Sequence, residues 1–384
     1  MVSAAAIGRA LFWPAGCPEP PTGEDPDRFA KRWVQENPDA GFWKTSSRAT
    51  YVGAGITVLG LITGLSGYFK DSKLLRHFGW GLGFIGLFAT IVGKMCGFEF
   101  DIPKAITDTI VAGGTVRAQK TPAEVGIEAG NVEKINITSH GEKLDGYFIK
   151  AKTPTKKTLI YIHGVRNNVG DCLEEIKKIR ENLNVNVLIL DPRGFGNSKL
   201  GNSELTAEGL VDDHEAGYQY LIDQGYTSKD ISIFGHSAGG AIAVQLACKK
   251  AIDTLILQST FTRSSEAVAS FGNGTLPKFI TDFAARYSGT MPFNSIDSIN
   301  NVKASKVVIA HGDTDNVIPA KQGETLFDKL TQFSDENKKH FLLTGANHTN
   351  YNDYYQDAGV YNTLNDFIYD RPVVVPLPVS ALAA

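Results

Sequence analysis

The sequence has few cysteines and no strong excess of charge of either sign. Its four cysteines lie far apart without a CxxC pair, which excludes a disulfide-dense scaffold and the usual zinc-binding spacings. Lys and Arg number 38 against 41 Asp and Glu, so no basic field favours nucleic acid as a partner. The 384 residues are 42% hydrophobic and 21% charged, which excludes wholesale disorder. We therefore expect a folded protein in a reducing compartment.

One segment departs from this ordinary composition. Residues 51–69 carry no charge over 19 positions, a length that spans about 28 Å as a helix, close to the thickness of a bilayer core. A polar connector of eight residues follows, and residues 78–93 are again uncharged. Glycines spaced GxxxG permit close helix packing in lipid. Residues 51–98 therefore predict a transmembrane helical hairpin, with two buried helices of a globular domain as the alternative.

The rest of the chain divides into a lead, a linker, a large domain and a tail. Residues 1–50 are rich in proline and acidic side chains and predict a disordered or partly helical lead, and residues 99–130 predict a linker. From 131 to 370, eight short β-rich runs alternate with helical patterns, the order of a mostly parallel sheet with helices on both faces. The proline-broken residues 371–384 predict a disordered tail.

Neither a cofactor nor a metal site is indicated by the sequence. Residues 81–86, GLGFIG, match the G-x-G-x-x-G dinucleotide motif, but no strand precedes them and they lie inside the apolar hairpin. No group of residues has a recognisable metal-ligand spacing. We expect chemistry that is carried by side chains alone.

The strongest local motif is G-x-S-x-G at Gly235 to Gly239. It follows an apolar strand pattern and precedes a helical one, which is the context of a nucleophile elbow. Such a turn needs small flanking residues because backbones approach closely there, and it presents the Ser237 hydroxyl at a helix N-terminus. An incidental serine in a glycine-rich turn is the alternative, since the bare pattern also arises by chance. Ser237 is the candidate nucleophile.

A nucleophilic serine needs a histidine base and an acid that orients it. Among eight histidines, His348 lies in a loop just past the last predicted strand, at the sheet edge where sites of parallel α/β sheets gather. His236 adjoins the serine, but its side chain is expected to diverge from it. The acid is expected after the preceding strand, where Asp315 is favoured over Asp313, which would instead bond to its own turn. The order Ser237, Asp315, His348 is that of α/β-hydrolases.

Five segments of the α/β region carry a family resemblance. They are LIYIHGVRNN (Leu159 to Asn168), LDPRGFGNS (Leu190 to Ser198), LTAEGLVDDHEAGYQYL (Leu205 to Leu221), STFTRSSEAVAS (Ser259 to Ser270) and HGDTDNVIP (His311 to Pro319). Together with the G-x-S-x-G turn they resemble the α/β-hydrolases over residues 131–369. More narrowly, they are similar to the membrane-associated abhydrolase-domain group that includes protein depalmitoylases and lysophospholipid or monoacylglycerol lipases.

The resemblance implies a fold and a set of roles. The implied fold is the α/β-hydrolase fold with an eight-stranded, mostly parallel sheet and a small helical cap at residues 261–304. By the same match Asp315 is the triad acid, and the backbone N–H groups of Ala238 and Val165 form the oxyanion hole. Val165 stands where the group often has a small or polar residue.

The expected function is a membrane-anchored serine hydrolase that cleaves acyl esters or thioesters of lipids or acylated proteins. A membrane interaction protein on a degenerate hydrolase fold and a serine peptidase are the alternatives, because fold does not dictate function. A glycan on the sequon at Asn347 would block the neighbouring His348, which favours a cytosol-like compartment for the domain.

Overall fold

The computed structural model describes residues 119–165, 167–201, 205–270 and 293–371. The predicted lead 1–50, the predicted hairpin 51–98 and the tail beyond Arg371 lie outside these residues. Within the described ranges no helix is long and apolar enough to cross a membrane.

The fold is built on one eight-stranded sheet. Its strands are β1 (Val132–Ser139), β2 (Glu142–Ile149), β3 (Thr158–Ile162), β4 (Asn186–Leu190), β5 (Ile231–His236), β6 (Ile252–Gln258), β7 (Ala304–Gly312) and β8 (Lys338–Leu343). Their order across the sheet is β1-β2-β4-β3-β5-β6-β7-β8. β2 runs antiparallel to both of its neighbours, and the pairs from β4 to β8 are all parallel. The predicted eight-stranded, mostly parallel sheet is confirmed.

Helices cover both faces of this sheet. Those described are α1 (Val169–Leu183), α2 (Ala207–Asp223), α3 (Ala238–Lys249), α4 (Ser264–Ser270), α5 (Ser295–Ser298), α6 (Lys321–Lys329) and α7 (Val360–Ile368), with single-turn 3₁₀ helices at Ala129–Asn131, Ile299–Asn301 and Tyr351–Tyr354. In β3, Ile160 packs into a core shared with α2, α3 and α6, whereas Leu159 packs into a second core shared with α1 and α7. Burial on both faces explains why the central strands read as continuous apolar runs.

Two predicted segments overlap the described residues only in part. Val125 and Ile127, at the end of the predicted linker 99–130, are buried in the core that contains α1, so this end of the segment packs on the domain. Of the predicted cap, residues 261–270 and 293–304 are described and include the short helices α4 and α5. The middle of the cap lies outside the described residues.

Candidate active site

Ser237 lies in the turn between β5 and α3, in a backbone conformation that non-glycine residues rarely adopt. Its φ is 57° and its ψ is −122°. Strand β6 and the segment after it hold the turn, because Ser237 N donates to the carbonyl of Gln258 at 2.9 Å and the Thr260 hydroxyl donates to the carbonyl of Ser237 at 2.8 Å. A strained residue in a sharp turn between a strand and a helix is the geometry of a nucleophile elbow.

The glycines of the motif are required by close approach of backbones. A Cβ at Gly235 would lie 2.5 Å from the carbonyl oxygen of Gly239. A Cβ at Gly239 would overlap the carbonyl oxygen of Ile162 and lie 2.7 Å from that of His163. These contacts bring the end of β3 against the start of α3, so the loop after β3 reaches the nucleophile.

His348 lies opposite Ser237, in the loop after β8. Its Nε2 is 3.1 Å from Ser237 Oγ. The loop is shaped by its own side chains: Asn347 Oδ1 accepts from the backbone N–H groups of Thr349 at 2.9 Å and Asn350 at 3.1 Å. Asn350 Oδ1 in turn accepts from Asn347 N at 2.7 Å. These reciprocal bonds fix the backbone on both sides of the imidazole.

Asp315 completes the constellation from the loop after β7. Its Oδ2 is 2.8 Å from His348 Nδ1, and its Oδ1 accepts from the N–H groups of Val317 and Ile318, each at 2.9 Å. Burial acts to raise the pKa of Asp315, but hydrogen bonds from His311 and His348 hold that pKa well below its usual range. A carboxylate can only accept, so His348 Nδ1 carries the proton and Nε2 is free to accept from the Ser237 hydroxyl.

The two aspartates of this loop have separate tasks. Asp313 does not touch His348; its Oδ1 accepts from the backbone N–H of Gly345 at 2.7 Å. The sequence predicted a bond from Asp313 to its own turn, and this detail was wrong, because the bond ties the loop after β7 to the loop after β8. Asp313 thus braces the segment that leads to His348.

A second histidine lies against the acid. His311 Nε2 is 2.9 Å from the carbonyl oxygen of Ile318 and 3.3 Å from Asp315 Oδ2. His311 is fully buried at the end of β7. The sequence analysis did not predict its place beside the carboxylate.

The two residues expected to supply oxyanion donors flank Ser237. Ala238 is the first residue of α3, where backbone N–H groups have no partner within the helix. Val165 follows Gly164, whose Cβ would lie 3.4 Å from Ser237 Cβ. The turn that carries Val165 therefore lies close to the nucleophile.

Asp191, which the sequence did not single out, supports that turn. It is fully buried, and its Oδ1 lies 3.5 Å from His163 Nε2 and accepts from Val169 N at 2.9 Å. Burial raises the pKa of Asp191, but the adjacent His163 and backbone hydrogen bonds from Val169 and Asn197 hold that pKa below its ordinary value. Asp191, in the segment Leu190 to Ser198, thereby holds both ends of the loop between β3 and α1. No cluster of three or more His, Cys, Asp or Glu side chains in the described ranges has the arrangement of a metal site.

Comparison with known proteins agrees with this architecture. A family model described as Hydrolase_4, serine aminopeptidase S33, matches residues 153–306. Protein bem46 of Schizosaccharomyces pombe is 28% identical over 265 residues, which are 67% of this chain and 82% of that protein. The lysophosphatidylserine lipase ABHD12 of Danio rerio is 28% identical over 197 residues, 48% of this chain and 50% of that protein. An uncharacterized protein of Mycobacterium tuberculosis is 30% identical over 217 residues, 55% of this chain and 70% of that protein.

Solved structures show the same fold. An α/β-hydrolase from Vibrio vulnificus superposes with a TM-score of 0.57 at 20% identity, covering 70% of this chain and 95% of that one. The Pyrococcus furiosus esterase Pf2001 superposes with a TM-score of 0.53 at 20% identity, covering 67% of this chain and 95% of that one. The fold and the site define a hydrolase of the α/β class. Within that class, the chain belongs to the α/β-hydrolases of the abhydrolase-domain type.

Proposed function

We propose that this protein is a serine hydrolase that cleaves acyl esters or thioesters through Ser237, His348 and Asp315. The observation that carries the proposal is the unbroken chain of contacts from Ser237 Oγ to His348 Nε2 at 3.1 Å and from His348 Nδ1 to Asp315 Oδ2 at 2.8 Å. A structural serine would need neither the strained φ of 57° nor an imidazole aimed at its hydroxyl.

The proposed reaction has two steps, acylation of Ser237 and hydrolysis of the acyl-enzyme, and the same residues act in both. His348 accepts the proton of the Ser237 hydroxyl as the serine oxygen attacks the acyl carbonyl, and the proton then passes to the leaving alcohol or thiol. Asp315 keeps the proton on Nδ1 and stabilises the imidazolium. Backbone N–H groups of Val165 and Ala238 receive the oxyanion, and losing one such donor typically costs about 10²–10³ in rate. Water releases the acyl group with His348 again as the base.

The substrate class follows from the proposed anchor and from one relative. The hydrophobic hairpin predicted at residues 51–98 would hold the domain at a membrane, where lipids and acylated proteins are concentrated. The Danio rerio relative is named a lysophosphatidylserine lipase, which makes monoacyl glycerophospholipids the first esters to assay. Long-chain acyl thioesters of cysteine peptides are the second class, because the same mechanism expels a thiolate.

A fluorophosphonate probe tests the chemistry before any substrate is known. The wild-type full-length protein should label, Ser237→Ala should not label at all, and His348→Ala should label several orders of magnitude more slowly. Circular dichroism shows whether each variant is folded. A folded wild-type protein that does not label would overturn the enzyme proposal and favour the interaction protein on a degenerate hydrolase fold.

A substrate panel separates the chemistries that one mechanism allows. The family model that matches residues 153–306 is described as a serine aminopeptidase, which favours peptides as the second candidate class. The panel therefore contains three acyl substrates, lysophosphatidylserine, a monoacylglycerol and a palmitoyl-cysteine peptide. It also contains peptides with a free N-terminal amine. If the peptides are hydrolysed faster than the acyl substrates, the protein is a peptidase and the esterase proposal is wrong.

Membrane attachment and the facing compartment are tested separately. The full-length protein should stay with the membrane pellet after alkaline carbonate extraction, and its release into the supernatant would remove the hairpin proposal. In sealed vesicles with the cytosolic face outward, added protease should degrade the hydrolase domain without detergent. Protection of the domain would place it in the lumen and contradict the proposed orientation.

A further inference from the structure

His236, the last residue of β5, directs its side chain away from the serine hydroxyl and onto the neighbouring loop. Its Nε2 lies 3.0 Å from the backbone carbonyl oxygen of His348. The two residues are 112 positions apart in the chain. A carbonyl can only accept, so His236 Nε2 carries the proton and donates it. The bond joins the strand that ends in the nucleophile to the residue that bears the base.

The imidazole of His236 is packed between two rings. The ring of His348 lies 5.0 Å away at an interplanar angle of 41°, and the ring of Tyr351 lies 5.0 Å away at 40°. Tyr351 is itself anchored, because its buried hydroxyl donates to Glu175 of α1. These two rings restrict rotation of the His236 ring away from the carbonyl that it bonds.

His236 is buried and remains neutral in this environment. Burial, and to a lesser extent the nearby His348, lower its pKa to about 3. Neutrality matters here because His348 becomes positively charged when it accepts the serine proton. A second positive charge on a ring packed against His348 would oppose that step.

We propose that His236 is a positioning residue, which holds the backbone of His348 so that its Nε2 stays within hydrogen-bond reach of Ser237 Oγ. This inference rests on the proposed function, since it assigns His236 a task in the same reaction. The loop after β8 also braces itself through Asn347 and Asn350, but those bonds stay within the loop. The bond from His236 instead ties the backbone of His348 to β5, the strand that presents the nucleophile.

Two substitutions at His236 separate the donated hydrogen bond from the packing of the ring. His236→Phe keeps a flat ring between His348 and Tyr351 but has no donor. His236→Gln lacks the ring but places an amide N–H at nearly the reach of Nε2. We expect His236→Phe to lower kcat about 10- to 100-fold, the cost of a catalytic group displaced by about 1 Å, with KM changed less than about threefold. We expect His236→Gln to recover most of kcat.

His340→Phe is the matched control. It makes the same exchange at a partly buried histidine of β8 that stacks on Phe327 at 5.4 Å and lies outside the triad. Its kcat should stay within about twofold of the wild-type value. All rates are measured at a temperature where each variant is fully folded and are expressed per folded molecule, so loss of stability does not enter the comparison.

The outcomes are distinct. A kcat of His236→Phe within twofold of wild type overturns the proposal. Equal losses in His236→Phe and His236→Gln also overturn it, because they would assign the effect to packing alone. A wild-type protein that neither labels nor hydrolyses any acyl substrate would instead defeat the proposed function itself.

Discussion

Asp315 presents its two carboxylate oxygens to different partners: Oδ2 meets His348 Nδ1 at 2.8 Å, and Oδ1 accepts two backbone N–H groups of its own loop. The loop thus fixes the orientation of the carboxyl group. The consequence is a fixed tautomer of His348, because an oriented carboxylate oxygen at that place can only accept the Nδ1 proton.

Asp315→Asn should nearly abolish reactivity without unfolding the protein. The amide oxygen can still accept the two backbone bonds, but the amide nitrogen then faces His348 and forces its Nδ1 to accept. Nε2 would carry the proton and could no longer accept from Ser237. We expect the rate of fluorophosphonate labelling to fall by about 10⁴. The matched control is Asp313→Asn, whose amide oxygen can still accept from Gly345 N, and a loss of similar size in that control would contradict the assignment.

Because the backbone at Ser237 is strained, Ser237→Gly should have a higher free energy of unfolding than Ser237→Ala. Ser237→Ala and Ser237→Gly both remove the nucleophile, but only glycine adopts a φ of 57° with a ψ of −122° without steric cost. Strain of about 1–3 kcal/mol set against about 0.5–1 kcal/mol for the flexibility of glycine leaves Ser237→Gly more stable than Ser237→Ala by about 1 kcal/mol. Urea unfolding measures the difference. An alanine variant of equal or greater stability would show that the turn stores no strain.

The sequence predicted those parts of the fold and the site that short, local patterns encode. The central strands are recognisable because both faces are buried, and Ser237 is recognisable because a sharp strand-to-helix turn demands glycines around it. Asp315 and His348 follow strand ends, so their meeting at one edge of the sheet could be expected.

Contacts between side chains from distant segments could not be predicted. His236 was expected to diverge from Ser237, but nothing in the sequence marks the carbonyl of His348 as its partner. The bond from Tyr351 to Glu175 spans 176 positions and follows from the packing of the Tyr351–Tyr354 turn on α1. Such contacts depend on how the loops pack on the folded sheet, and no periodic pattern in the sequence predicts them.

Gly239 should tolerate no side chain. A Cβ there would overlap the carbonyl oxygen of Ile162, and the clash is with backbone, which cannot rotate away. Gly239→Ala should therefore displace the turn that carries Val165 and reduce fluorophosphonate labelling by at least about 10², the cost of losing an oxyanion donor. Gly130→Ala is the control, because nothing lies within 4 Å of the Cβ that it adds. Labelling of Gly239→Ala at the rate of the control would disprove the close approach.

Removing one member of the buried ion pair between Arg193 and Asp213 should destabilise the fold, because the other charge is left buried without its partner. Arg193 Nε and Nη2 donate to the two carboxylate oxygens at 2.9 and 2.6 Å, and both side chains are buried. Arg193→Met should lower the free energy of unfolding by about 3–5 kcal/mol because it leaves a buried, uncompensated carboxylate.

The double variant Arg193→Met/Asp213→Leu should lose less free energy of unfolding than the two single variants lose together. The reason is that it leaves no unpaired charge. Lys321→Met, which breaks an exposed pair with Glu324, should cost less than about 1 kcal/mol. Strict additivity in urea unfolding of the Arg193 and Asp213 variants would contradict the coupling.

Glu175 should make the stability of the protein fall as the pH rises from about 4.5 to about 7. Burial raises the pKa of Glu175 from 4.5 to about 7, although the hydrogen bond from Tyr351 and the charge of Lys178 oppose the rise. A carboxyl whose pKa is higher in the folded state stabilises it fully below about pH 4.5, and this contribution is lost as the pH passes about 7. Relative to Glu175→Gln, the wild-type protein should therefore lose at most about 3 kcal/mol between these limits.

Urea unfolding of the wild-type protein and Glu175→Gln across this pH range measures the change in their difference. Because Glu175 is only partly buried, water reduces the change below its upper limit. Glu174→Gln removes a neighbouring carboxylate that is exposed on the same helix, so it controls for the loss of one negative charge. If the difference in free energy of unfolding between wild type and Glu175→Gln does not vary with pH, the Glu175 carboxyl has the same pKa in the folded and unfolded states. The support that Tyr351 gives to His236 would then rest on a carboxylate that is charged at neutral pH.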